Sequence, residues 1–126
     1  MESHVFSDED FARFSFAVAH WMTALGLTEW KYDVMHHQIG DRVCAQVQYN
    51  CVTRSAVFRL TKAGEFDYGH ETNVIELAKH EVLHLLLADY CFTASKARDE
   101  YADLVIAHEH AVINRLSRCI PYKETT

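Results

Sequence analysis

The feature that most constrains this chain is the stretch "KHEVLHLLL", residues 79–87, in which two histidines and a glutamate stand among leucines. A segment that is apolar nearly all round its helical wheel is typical of a helix buried on most sides. An ionised carboxylate left unpaired in such surroundings costs several kcal/mol. The fold must therefore build a core around this helix and give its titratable side chains a partner.

The five residues "HEVLH" form the pattern H-E-x-x-H, which has a direct chemical interpretation. On a helix, His80 and His84 lie about 40° apart on one face, where two imidazoles can bind one ion. Glu81 is rotated about 100° from His80, so it can reach a water molecule on that ion without being a ligand. The pattern predicts Zn²⁺ held by His80 and His84, with Glu81 as the general base. The alternative is a buried helix whose histidines are satisfied within the core.

A catalytic zinc usually takes three protein ligands and keeps one position for water, so a third ligand is expected. The last predicted helix offers Glu109, which lies near the middle of an apolar stripe formed by Ala102, Val105, Val112, Ile113 and Leu116. We predict Glu109 as the third ligand, His108 as a packed neighbour, and His110 pointing away. Glu100 falls on the polar side of the same helix. The alternative for Glu109 is a buried ion pair with Arg115 or Arg118.

Helix caps, helix stops and the pattern of apolar residues predict the remaining helices and strands. A first helix runs from a cap at Ser7 to a stop at Gly26. Three runs rich in β-branched and aromatic residues predict an antiparallel meander: "WKYDVM", "RVCAQVQYN" and "RSAVFRLT". The helix with the histidines begins at Thr72 or Asn73 and extends to about Tyr90, and a third helix follows a break near "CFTAS". The prediction is a single α+β domain over residues 1–126, with a small, mainly antiparallel sheet and about three helices.

Composition excludes several classes of partner. The net charge of -6 provides no basic stripe for nucleic acid, and no apolar run is long enough to cross a membrane. The acidic start "MESHVFSDED" lacks the features of an export signal, so a cytoplasmic location is expected. Four cysteines lie far apart with no C-x-x-C pair, which predicts reduced, mostly buried thiols rather than a zinc ribbon or a disulfide framework. The oligomeric state stays open.

The motif, its leucine-rich continuation, the later glutamate and the strands before the helix resemble the zincin metallopeptidases, specifically the gluzincin arrangement. The segment "AHEHAVINRL" is similar to the corresponding part of small zincins encoded by bacteriophages. The resemblance implies a zincin-like minimal metalloprotease fold and a zinc-dependent metallopeptidase acting on a peptide or protein. It also implies His80, His84 and Glu109 as zinc ligands and Glu81 as catalytic base. The minimal core also resembles the SprT-like DNA-associated proteases, although their third histidine ligand, basic surface and zinc ribbon are not evident in the sequence.

Two details of the mechanism stay open at this level. The residue that stabilises the oxyanion could be His70, Tyr101, His108 or Tyr122. An edge strand, for which "SAVFRL" is our candidate, could align an extended peptide. The alternatives to a peptidase are a non-catalytic binding or regulatory module of the same fold and a metal-dependent hydrolase of a non-peptide amide. Glu81 favours an enzyme, because a purely structural zinc has no use for a base beside it.

Overall fold

A computed structural model describes residues 1–97 and 102–120. Within these ranges the chain is α+β, with two small, mostly antiparallel sheets and four helices. The elements in chain order are β1 (Glu2–Val5), α1 (Asp8–Ala24), β2 (Lys31–His36), β3 (Ala45–Asn50), β4 (Ser55–Leu60), β5 (Ala63–Phe66), α2 (Val74–Leu86), α3 (Ala88–Ala97) and α4 (Ala102–Cys119).

The three-stranded sheet has the order β2-β4-β3, so the predicted meander is wrong. β4 pairs antiparallel with β3 and parallel with β2, and its Phe58 lies opposite Val34 on one side and Val47 on the other. Alternate β4 side chains, including Phe58 and Leu60, are fully buried. The strand with the most buried face therefore takes the centre, a choice that the spacing of strands along the sequence does not reveal.

This order also corrects the expected role of "SAVFRL". That segment is β4 itself, and both of its edges are hydrogen-bonded to neighbouring strands. It cannot receive a substrate strand. Among the described strands of this sheet, β2 and β3 are each paired on one side only, and β3 packs beside α2.

A separate two-stranded sheet joins the start of the chain to the segment between β4 and α2. β1 pairs antiparallel with β5, with Glu2 opposite Phe66. Gly64 is needed in this ribbon because a Cβ atom there would lie 2.6 Å from the carbonyl oxygen of Asp41.

The first helix follows its predicted limits. Ser7 and Asp10 form a capping box, with the Asp10 amide 3.1 Å from the Ser7 hydroxyl. The helix then buries an apolar stripe that includes Phe14, Val18 and Trp21. It packs against α2 and covers one side of it.

The helix α2 is central, as its composition predicts, and contacts α1, β3, α3 and α4. Of the two predicted caps, Asn73 is the residue used, and its side chain accepts a hydrogen bond from the Ile75 amide at 2.9 Å. The helix ends at Leu86 instead of Tyr90, and "CFTAS" lies inside α3. The predicted count of about three helices therefore becomes four. The chain turns at Leu87, and no glycine or proline there indicates the turn in the sequence.

The four cysteines are free, but only Cys44 is buried, so the expectation of mostly buried thiols is wrong. None of the helices within the described ranges combines the length and apolar character that spanning a membrane requires.

Candidate metal centre

Three histidines from two helices meet in one cavity of about 520 Å³. Two of them, His80 and His84, lie one turn apart on α2, with their Nε2 atoms 3.2 Å from each other. The third, His110, comes from α4, and its ring centroid lies 4.8 Å from that of His84 and 5.8 Å from that of His80. One nitrogen from each ring lies within 4.8 Å of the other two.

This donor set fits zinc. Zinc bonds imidazole nitrogen at about 2.0–2.1 Å, which places two ligands of a tetrahedral site about 3.3 Å apart. The separation of 3.2 Å between the His80 and His84 nitrogens matches that spacing. Three protein ligands leave a fourth position free, which is typical of catalytic rather than structural zinc sites.

Glu109 lies beside the cluster rather than within the three-nitrogen set. It is only 8% exposed, and its Oε1 is 3.2 Å from Nδ1 of His84. Because Nε2 of His84 faces His80, Glu109 sits at the opposite ring nitrogen. A carboxylate there accepts the Nδ1 proton and leaves Nε2 free to bind a metal. No ion pair between Glu109 and an arginine occurs among the described residues.

The expectation that His110 points away is wrong, and the packing of α4 gives the reason. Among the α4 residues whose burial the structure describes, Glu109 and Ile113 are the buried ones. The residues on either side of this buried stripe form two flanks of the helix. One flank lines the cavity with His110, Asn114 and Ser117. The other carries His108, which lines a different cavity together with Leu87, Tyr90 and Val112. The signal that could have identified the first flank is the polar spacing of four and three residues at positions 110, 114 and 117.

Glu81 lines the same cavity as the three histidines and is 7% exposed. Its burial, with the nearby negative charge of Glu109, raises its pKa to about 8. Burial lowers the pKa of His80 to about 4, with repulsion from His84 and His110 adding to the effect. Burial also lowers the pKa of His84. Both imidazoles of α2 are therefore neutral near pH 7, which is the form that binds metal.

The candidate oxyanion donors separate by position. His70, in the loop before α2, lines the cavity and stacks on Phe66, whereas His108 faces elsewhere. Tyr101 and Tyr122 lie outside the described residues, as does Glu100.

The raised pKa of Glu81 leads to a prediction for the metal-free protein. The pKa of Glu81 is about 8 in the folded protein and about 4.5 in the unfolded protein. Protonation of Glu81 therefore contributes stability that is fully present below pH 4.5 and is lost as the pH rises from 4.5 through 8. Glutamine imitates the protonated acid at every pH. The stability of Glu81→Gln relative to wild type should thus grow by a few kcal/mol between pH 5 and pH 9.

Urea unfolding of chelator-treated protein measures this difference. The effect of His80 has the opposite sign, since stability is lost as pH falls from 6.5 toward 4, but it is common to both proteins and cancels. A difference that stays constant from pH 5 to pH 9 would show that Glu81 has an ordinary pKa.

Comparison with protein-family models, with curated proteins and with solved structures finds no match to this chain.

Proposed function

We propose that this chain is a zinc-dependent metallopeptidase in which His80, His84 and His110 hold the metal and Glu81 is the catalytic base. The observation that supports it most is the convergence of three imidazoles in a cavity that also contains a buried carboxylate. This ligand set differs from the gluzincin arrangement expected from the sequence. In the proposal, Glu109 orients His84 from behind instead of binding the metal.

Each residue then has a distinct task. Zinc held here would polarise the scissile carbonyl and lower the pKa of a water molecule. Glu81 accepts the proton of the attacking water and delivers it to the leaving amine. The pKa of about 8 belongs to Glu81 in the metal-free protein, and the positive charge of a bound zinc would lower it and favour the carboxylate that a general base needs. Glu109 keeps His84 in the tautomer whose Nε2 is free.

The edge of β3 is the proposed guide for an extended substrate. Its unpaired side offers backbone donors and acceptors to which a peptide can add as a further strand. Val43, Cys44 and Ala45 line the cavity, and Ala45 is the first residue of β3. A peptide lying along this strand would reach the histidine cluster, which is why we favour a peptide substrate.

A hydrolase of a small, non-peptide amide is the second candidate. The cavity volume of about 520 Å³ is within the range of small-molecule sites and favours this possibility. Glu81 and the three histidines would perform the same chemistry, so only the substrate differs.

The first test is metal content. Protein purified without chelator should contain about one zinc per chain, and the double variant His80→Ala, His84→Ala should contain essentially none. The matched control is His108→Ala, because His108 lies on α4 but lines a different cavity. Elemental analysis gives the stoichiometry, and full zinc occupancy in the double variant would exclude this site.

The second test is cleavage of a library of peptides and denatured proteins. Cleavage that stops on chelation and returns with added zinc would support the peptidase. Zinc binding without cleavage of any peptide would contradict it and favour the small-amide hydrolase or a non-catalytic module.

A further inference from the structure

Lys79, the residue before His80, is a buried cation with three partners. It is 3% exposed, and its Nζ donates to the carbonyl oxygens of Ser117 at 2.8 Å and Ile120 at 3.2 Å. The third partner is Oε2 of Glu76 at 2.9 Å. An ammonium group has three donors, so these contacts satisfy it completely. Such a lysine is tied to its surroundings, unlike the solvated lysines of a helix surface.

The group that Lys79 holds is the end of α4. The last carbonyls of a helix have no partner within it and carry partial negative charge, which a cation compensates. A helical hydrogen bond is still formed at this end of α4, where the Ile120 amide donates to the carbonyl oxygen of Leu116 at 2.9 Å. We call the contact of Lys79 with Ser117 and Ile120 the Lys79 clamp.

The clamp and the histidine cluster lie on the same two helices. Polar contacts join α2 to α4 at the clamp and again where Glu109 meets His84. Lys79 meets residues near the end of α4, while His84, later in α2, meets a residue earlier in α4, so the helices run antiparallel. The main packing partners of α4 are α2 and α3. The Lys79 clamp is therefore one of the contacts that set the position of α4 along α2.

We propose that Lys79 is a positioning residue for the third metal ligand, a role that rests on the proposed function. Ser117 follows His110 by seven residues, which is two helical turns or about 10 Å along the axis. Both residues line the cavity, so they lie on the same flank of α4. A helix is stiff over two turns, so sliding or tilting at Ser117 displaces His110 from His80 and His84. Metal–ligand distances tolerate only about 0.2 Å, so even a small displacement weakens binding.

The test compares two variants that both lose stability. Lys79→Met removes the ammonium and keeps an unbranched side chain, and the dissociation constant for zinc should rise about 10- to 100-fold. Val18→Ala is the control, because Val18 is buried on α1, which supplies no residue to the cavity lining. Its zinc affinity should stay close to wild type although its melting temperature falls. Competition with a chromophoric chelator gives the affinities, and the absorption spectrum of bound Co²⁺ reports a change in ligand geometry.

Amide hydrogen exchange on the zinc-free proteins provides a readout that does not depend on metal. In Lys79→Met, the last turns of α4 should exchange faster than in wild type, and in Val18→Ala they should not change selectively. Equal zinc affinity in Lys79→Met and Val18→Ala would overturn the proposal, because Lys79 would then only secure the helix end. A wild-type protein that binds no zinc would refute the proposed function and the positioning role together, and the exchange data would separately show whether the clamp exists.

Discussion

Replacing His110 with alanine is expected to weaken zinc binding by more than about 10- to 100-fold, the typical cost of removing a residue that only hydrogen-bonds to a metal ligand. His110 supplies one of three nitrogens that lie within 4.8 Å of one another, so its loss leaves only the two ligands of α2. Glu109→Ala should fall within the 10- to 100-fold range, because Glu109 contacts Nδ1 of His84 and not the cluster. Zinc titration of the two variants shows which substitution weakens zinc binding more.

Two further variants sharpen the comparison. His108→Ala should bind zinc like wild type, since His108 lines another cavity. Glu109→Gln should bind more tightly than Glu109→Ala, because the amide oxygen can still accept the Nδ1 proton of His84. Near-normal affinity in His110→Ala with severe loss in Glu109→Ala would restore Glu109 as the ligand and with it the gluzincin arrangement.

Changing Glu81 to glutamine is expected to lower hydrolysis by about 10²- to 10⁴-fold, the usual contribution of a general base. Glutamine keeps the size of the side chain but cannot accept a proton at neutral pH. Zinc content should stay at the wild-type level, because Glu81 is not among the three residues proposed to hold the metal. Turnover of a substrate selected from the library, measured beside the metal content, checks both parts.

An acid-to-amide change elsewhere serves as the control for charge. Glu65→Gln on β5 removes one negative charge at an exposed position outside the cavity lining and should leave turnover near wild type. Unchanged turnover in Glu81→Gln would remove Glu81 from the mechanism. Loss of zinc together with activity would instead assign Glu81 a role in binding the metal.

The central part of the site follows from sequence because it lies within one helix. The spacing of His80 and His84 sets their separation once α2 forms, and the apolar residues around them predict that α2 is buried. Caps are equally local, which is why Ser7 and Asn73 could be identified as candidates from their side chains.

Relations between elements depended on the tertiary structure. The three strand-like runs in the sequence do not indicate which strand lies at the centre of the sheet. β4 is the central strand because its alternate side chains face the core. The turn at Leu87 divides one predicted helix into two, although its sequence is as apolar as the residues before it.

His110 could not be placed at the candidate site from the sequence for the same reason. The helical wheel correctly identified Glu109 and Ile113 as buried positions of α4. It could not state which flank of that stripe faces α2, because this depends on how one helix is rotated and placed against the other. A rotation of about 100° separates neighbouring residues, which is enough to exchange the proposed metal ligand His110 for Glu109, the residue proposed to orient His84. Sequence alone thus determined the relative positions of His80, Glu81 and His84, because all three lie on a single helix. Only the packing of α4 on α2 placed His110 beside them and Glu109 behind His84.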